Sequence, residues 1–179
     1  MEQGERYCIQ GKIRAINFRR PGGKSQPPSH RLAARIILKE TMKSVTSEFT
    51  VEWGHCDPAG IVFYPNFFIF FDAGAWNLFI AAGLELKTLR ERYGANGFPV
   101  VDTRAEFRHP CRQMDKLTLT TTMDAIYSKT FIMSHELYND GVLAVRGKEV
   151  RVLGMAHPDD PEKLKAGAIP KELAARFGP

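Results

Sequence analysis

Cysteine is scarce in this chain: three residues in 179, Cys8, Cys56 and Cys111, with no C-x-x-C pair among them. An odd count without paired spacing argues against a disulfide framework and against a thiolate zinc site, and it suits a reducing, cytoplasmic setting. The five histidines are scattered, with neither H-x-x-H nor H-E-x-x-H, so no metal centre is expected. No G-x-S-x-G elbow is present, and no Ser or Cys has a nearby His in a nucleophile setting, so serine-hydrolase chemistry has no support. Long hydrophobic runs are also missing from the first fifty residues, where Ile36–Leu38 is too short for the apolar segment of a secretory signal. The most apolar window, Phe67–Leu84, carries Asp72 near its middle and Asn77 after it. A central Asp costs roughly 3 kcal/mol on insertion scales, so this window reads as a buried helix and no membrane partner is expected.

What is present is enough for one domain: 179 residues with 44% hydrophobic content can build a substantial core. The net charge of +5 is not spread evenly. Between Met1 and Met42 nine basic side chains face three acidic ones, an excess larger than that of the whole chain, so the remainder is close to neutral. The segment Arg19–Ser29 is rich in Pro, Gly and charge and nearly free of large apolar groups. Residues 1–43 therefore read as a basic, flexible N-terminal extension, and 44–179 as the folded domain. The extension lacks the interleaved aromatics of a nucleic-acid grip, and no nucleic-acid partner is expected.

From Val45 to Trp53, Phe49, Val51 and Trp53 alternate with polar residues, a period of two that predicts a half-buried strand. Asp57-Pro58-Ala59-Gly60 follows, with Asp-Pro favouring turn initiation and Gly60 available for a positive φ. Pro65 suits the first turn of a helix, and the segment to Ala82 is apolar nearly all round, so a sheet must cover it. Leu86, Leu89 and Tyr93 recur at helical spacing within Leu84–Tyr93, predicting a second, amphipathic helix. After Pro99 the pattern changes to strands at Val100–Pro110, Lys116–Ser128, Thr130–Asn139 and Val142–Leu153, with Asn139-Asp140-Gly141 a strong hairpin turn. The order predicts an α+β domain in which a four-strand meander joins the first strand in wrapping one long helix. A short helix closes the chain over Pro170–Phe177.

A polar turn between flanks this apolar usually lines a site. The run H-C-D-P-A-G-I-V-F-Y-P-N-F, from His55 to Phe67, closely resembles the active-site loop of the 4-hydroxybenzoyl-CoA thioesterase family of hot-dog-fold enzymes. The resemblance extends over roughly Val45–Val152. It implies a hot-dog fold, an antiparallel sheet wrapped around one long buried helix, and hydrolysis of an acyl-CoA thioester, 4-hydroxybenzoyl-CoA or a similar aryl-CoA foremost. Coenzyme A is then part of the substrate and no other cofactor is needed. Thioester hydrolysis requires a carboxylate that attacks the carbonyl or deprotonates water, plus positive potential where the oxyanion forms. Asp57 inherits the first role by position. The helix-start backbone at Tyr64 inherits the second, where unpaired N–H groups and the helix dipole favour negative charge. His55 tunes Asp57, orients it or packs beside it, and with Gly60 it is a candidate substrate-binding residue. Gly97-Phe98-Pro99 is similar to the family's Gly-x-Pro segment, which makes Gly97 a further binding candidate.

Arg104, Arg108, His109 and Arg112 are basic groups that would suit a phosphorylated carrier, or simply a solvated strand face. The aromatics from Phe63 to Phe79 read as core before pocket. The family implies a homodimer or homotetramer, with sites at subunit interfaces. Two alternatives stand beside this reading. One is a short-chain aliphatic thioesterase of the Tol-Pal-associated type, which shares H-x-D-x-x-G-x-V-x-Y. The other is a non-catalytic acyl-CoA-binding hot-dog module.

Overall fold

The computed structural model describes residues 43–178. The expectation of a flexible extension over residues 1–43 lies, but for Lys43, outside the described residues. Strand β1, Ser44–Thr50, leads through a short 3-10 turn, Trp53–His55, and the Asp57 turn into helix α1, Pro65–Ala81. Helix α2, Leu86–Tyr93, ends on Gly94 in the left-handed conformation and is followed by the short strand β2, Ala95–Gly97. Strands β3, Val100–Phe107, β4, Lys116–Ile126, β5, Thr130–Asn139, β6, Val142–His157, and β7, Asp160–Gly167, complete the sheet. Helix α3, Lys171–Ala174, and a further 3-10 turn at Ala175–Phe177 close the chain as expected.

Strands β1, β4, β5 and β6 lie side by side, every pair antiparallel, and α1 packs across β1 and β4 with a lighter touch on β5. The approach is close. A Cβ on Gly74 would lie 2.5 Å from Thr121 Oγ1 and 2.6 Å from Leu119 Cδ2, so glycine there sets the helix-to-sheet spacing. Phe70, Phe71, Leu78 and Phe79 of α1 are fully buried against alternating inward residues such as Leu117, Leu119, Phe131 and Leu137. This is the hot-dog arrangement the resemblance implied.

Three expectations need correction. The first strand stops at Thr50, not Trp53: Val51 is held by backbone bonds to Met114 and Asp115, and the chain then turns, leaving Trp53 79% exposed. The four strands after Pro99 do not form one meander. β4, β5 and β6 do, but β3 passes over to pair with β6, Arg104 opposite Lys148 and Phe107 opposite Val145. Strand periodicity carries no pairing information, so sequence order stood in for spatial order. The third is the extra strand β7, polar enough to read as loop, which extends β6 as far as His157.

Candidate active site

The Asp57 turn is a small, fully bonded hairpin. Asp57 N–H donates to the Ile61 carbonyl at 2.9 Å, and Gly60 N–H donates to the Asp57 carbonyl at 2.9 Å. Ala59 N–H donates to Asp57 Oδ1 at 2.8 Å, the Asx geometry that lets a carboxylate shape its own turn. Gly60 takes φ +74° with open space around it, so the glycine serves the backbone. On the return, Cys56 bridges Val62, Phe63 N–H donates to the His55 carbonyl at 2.9 Å, and Val62 N–H donates to Cys111 at 2.8 Å. Asp57 is therefore held half-buried on a loop pinned to the connection between β3 and β4.

The same hairpin delivers the start of α1. Tyr64 is its N-cap and Pro65 its first residue, and Asn66 Nδ2 donates back to the His55 carbonyl at 2.8 Å. Asn66 and Phe67 N–H groups donate to Phe63 and Tyr64 carbonyls. Among the described residues the Tyr64 N–H has no acceptor. It sits at the positive end of a 17-residue helix, where a developing oxyanion would be stabilised. His55 is turned to structural use: its Nδ1 accepts the Glu52 N–H at 2.9 Å, which places the ring proton on Nε2, and its edge meets Phe70 at 5.2 Å.

Beside Tyr64 opens a pocket of about 320 Å³, walled by Ile61, Val62, Tyr64, Phe67 and the Phe107–Cys111 segment. Phe107 packs against both Phe67 and Tyr64, at 5.6 and 6.5 Å between ring centres. Phe67 is thus both core and wall, while Phe70, Phe71 and Phe79 are core only. Of the basic candidates, Arg108 and His109 line this pocket, Arg108 forking onto Glu106 at 2.8 and 2.9 Å. Arg104 lies 3.4 Å from Asp102, and the Arg112 backbone N–H donates to Asp115. Burial and the Asp115 charge push the Cys111 thiol up to about 11, so it is a wall and not a nucleophile at neutral pH.

Gly97 is elsewhere. It lies against Trp76, whose ring is 3.7 Å from the place a Cβ would take, and Trp76 is twelve residues beyond Tyr64 on α1, roughly 18 Å along the axis. The chain therefore gathers Asp57, His55, Gly60 and Tyr64 on one hairpin and leaves Gly97 apart. Near Gly97 stands a cluster, buried except for Asp72 at its outer end, that the sequence pattern did not single out. Arg151 donates to Glu149 at 2.8 Å, to Asp72 at 2.8 Å and to the Phe98 carbonyl at 3.2 Å. His135 Nε2 lies 3.3 Å from the same Glu149, off the line of a straight hydrogen bond, and Thr121 Oγ1 meets His135 Nδ1 at 3.0 Å. Two signals were available: a lone Asp inside an apolar helix, and Glu149 and Arg151 in phase with inward-facing Val145 and Gly147.

Residues 51–177 match the thioesterase-like superfamily. The chain is 35% identical over 137 residues to 4-hydroxybenzoyl-CoA thioesterase from Pseudomonas sp. strain CBS-3, covering 73% of this chain and 94% of that protein. Among solved structures it is similar to an aspartate-to-asparagine variant of 4-hydroxybenzoyl-CoA thioesterase complexed with 4-hydroxybenzoyl-CoA. The TM-score is 0.70 and the identity 34%, over 76% of this chain and 99% of that one. A gentisyl-coenzyme A thioesterase matches with TM-score 0.64 and 28% identity, over 73% of this chain and 99% of that one.

Proposed function

The chain belongs to the thioesterase-like superfamily and hydrolyses CoA thioesters, and we propose that its acyl group is a hydroxylated aryl acid cleaved by Asp57 opposite the Tyr64 N–H. The observation that carries the site assignment is one hairpin holding two complementary parts: a fixed carboxylate and a helix-start N–H that has no acceptor among the described residues. Asp57 either attacks the thioester carbon, forming a mixed anhydride as the C–S bond breaks and the CoA thiolate leaves, or takes a proton from the attacking water. In both routes the carbonyl oxygen gains negative charge in the transition state, and an N–H already fixed there stabilises it without reorganisation. No cofactor enters either route. The aryl preference is supported by the ring-lined pocket of Phe67, Phe107 and Tyr64, and by the names of the two aryl-CoA relatives at 28% identity or above.

The site is completed by a second copy. α1 covers only part of the sheet, so Ile69, Asp72 and Ile80 stay exposed on its far side, and β3 is exposed along both faces apart from half-buried Ala105. β3 pairs only with β6 among the described residues, which leaves a free edge eight residues long. Antiparallel pairing of two β3 strands about a two-fold axis covers that edge. It also sets the Phe107 end, which touches Tyr64, near the start of the partner's β3, three residues beyond its Gly97. Gly97 then reaches the Asp57 turn from the other subunit.

Asp57→Asn should lower kcat by at least about 10³-fold while leaving the affinity for an inert CoA thioether within a few-fold, since only the reacting group changes. Comparable hydrolysis by the variant moves the chemistry to another residue. A panel of CoA thioesters tests the acyl group: hydroxybenzoyl-CoA is expected to show the highest kcat/KM, and preference for butyryl-CoA would replace the aryl reading with an aliphatic one. Incorporation of one oxygen-18 into Asp57 in a single turnover distinguishes attack from base catalysis.

A further inference from the structure

The free edge of β3 has a charge pattern that specifies how it meets its own copy. Arg108 N–H donates to Ala144 at 2.8 Å, and the register pairs Glu106 with Arg146, Arg104 with Lys148 and Asp102 with Val150. From Asp102 to Arg108 the even-numbered residues thus direct their backbone groups to β6, and Thr103, Ala105 and Phe107 present theirs to the open edge, while Val101 stands at a register shift. The side chains of the even residues share the outer face with exposed Arg146 and Lys148. They run Asp102, Arg104, Glu106, with Arg108 continuing the spacing: minus, plus, minus, plus. In the single chain this row is poorly matched at one point, since Arg104 faces Lys148 and its nearest carboxylate is exposed Asp102 at 3.4 Å.

Laid antiparallel on itself, that row is complementary at every position in one register. Centred on Ala105, the strands place Arg104 opposite the partner's Glu106 and Asp102 opposite the partner's Arg108, each pair twice. These are non-hydrogen-bonded positions, where opposing side chains approach most closely. Centred on Arg104, the strands set Arg104 against itself and Asp102 against Glu106. Centred on Thr103, they retain only the Asp102–Arg104 pairs. From this we infer that β3 is a self-recognition strand whose partner is a second copy of this chain, in the Ala105-centred register, selected by the Asp102-Arg104-Glu106-Arg108 ladder. The inference rests on the dimeric reading above and adds to it the register and its cause. It also makes the assembly selective, because a related sheet edge without this alternation leaves the four charges unmatched.

Sedimentation velocity over a concentration series tests it on the full chain. Arg104→Glu should raise the dimer dissociation constant at least about tenfold, because two attractive pairs become repulsive. Adding Glu106→Arg to that variant should return it to within about threefold of wild type, since the swapped charges match at every position only in this register: centring on residue 104 opposes that position to its like-charged copy, and centring on Thr103 sets two acids face to face. Mild oxidation of Ala105→Cys should give a covalent dimer that the wild type does not, the two Cα atoms lying about 5.5 Å apart across the axis. A double variant as weak as the single one, a single variant as tight as wild type, or no cross-link at position 105 overturns the register and leaves the dimer standing. Wild type that is monomeric at every concentration overturns both.

Discussion

Two aspartates flank the first half of α1 and meet opposite surroundings. Asp57 sits before the helix on a loop whose bonds are almost all backbone bonds, and its carboxylate receives one of them, from Ala59. Asp72 sits within the helix, and Arg151 holds it in a chain of side chains through Glu149 towards His135 and Thr121. In the first region the fold fixes the main chain and, among the described residues, leaves one carboxylate oxygen of Asp57 and the Tyr64 N–H without a hydrogen-bond partner. In the second it fixes the side chains against each other, joining α1 to three strands. On the function proposed above, the reacting carboxylate is the one the backbone holds, and the one held by charged side chains is structural.

The sharpest way to break this comparison is Asp57→Asn, for which turnover should fall by at least about 10³-fold while the melting temperature stays within a few degrees of wild type. A comparable loss of stability would make Asp57 a structural residue like Asp72. Arg151→Met should do the reverse. It strands Glu149, which is 2% exposed, and should cost about 3–5 kcal/mol in urea unfolding, whereas a loss below about 1 kcal/mol would mean that water reaches the cluster.

Acid sharpens the same contrast. Burial pushes the Glu149 carboxyl up, but His135 and the Arg151 guanidinium beside it outweigh burial and hold it below its ordinary value of 4.5. The stability it contributes is complete above that value and is lost as pH falls below it through the folded value. The stability of Glu149→Gln should thus be lower at neutral pH and should decline less steeply below 4.5, measured by urea midpoints across the acid range. An unchanged acid slope would assign the acid sensitivity to other carboxylates. The smallest effect is expected at the turn itself: Gly60→Ala meets no neighbour but must adopt φ +74°, a cost of about 1 kcal/mol in unfolding. A cost above about 3 kcal/mol would show that the hairpin, like the Arg151 cluster, is held by more than backbone geometry.

Legibility in the sequence follows this division. The Asp57 hairpin, the helix start at Pro65 and strand β5 at Thr130–Asn139 were all readable, because each depends on residues within a few positions of one another. The Asp72–Arg151 contact joins residues 79 apart, and the pairing of β3 with β6 replaces a neighbour in sequence with a neighbour in space. The phase of Glu149 and Arg151 with Val145 and Gly147 shows that they face inward, but no local period says which distant residue or strand they meet. Gly97 shows the limit most clearly: its local motif was visible, yet within one chain it lies by Trp76 and not by Asp57.

The amino-acid order alone determined the turn that carries Asp57, the apolar helix behind it and the kind of domain that can cover such a helix, since turn chemistry and hydrophobic period are local properties of the chain. Tertiary structure alone decided which strand took the exposed edge, which charges came together around Arg151 and how far Gly97 lies from Asp57. Those outcomes depend on long-range closure, where many pairings satisfy the same local pattern and packing selects among them.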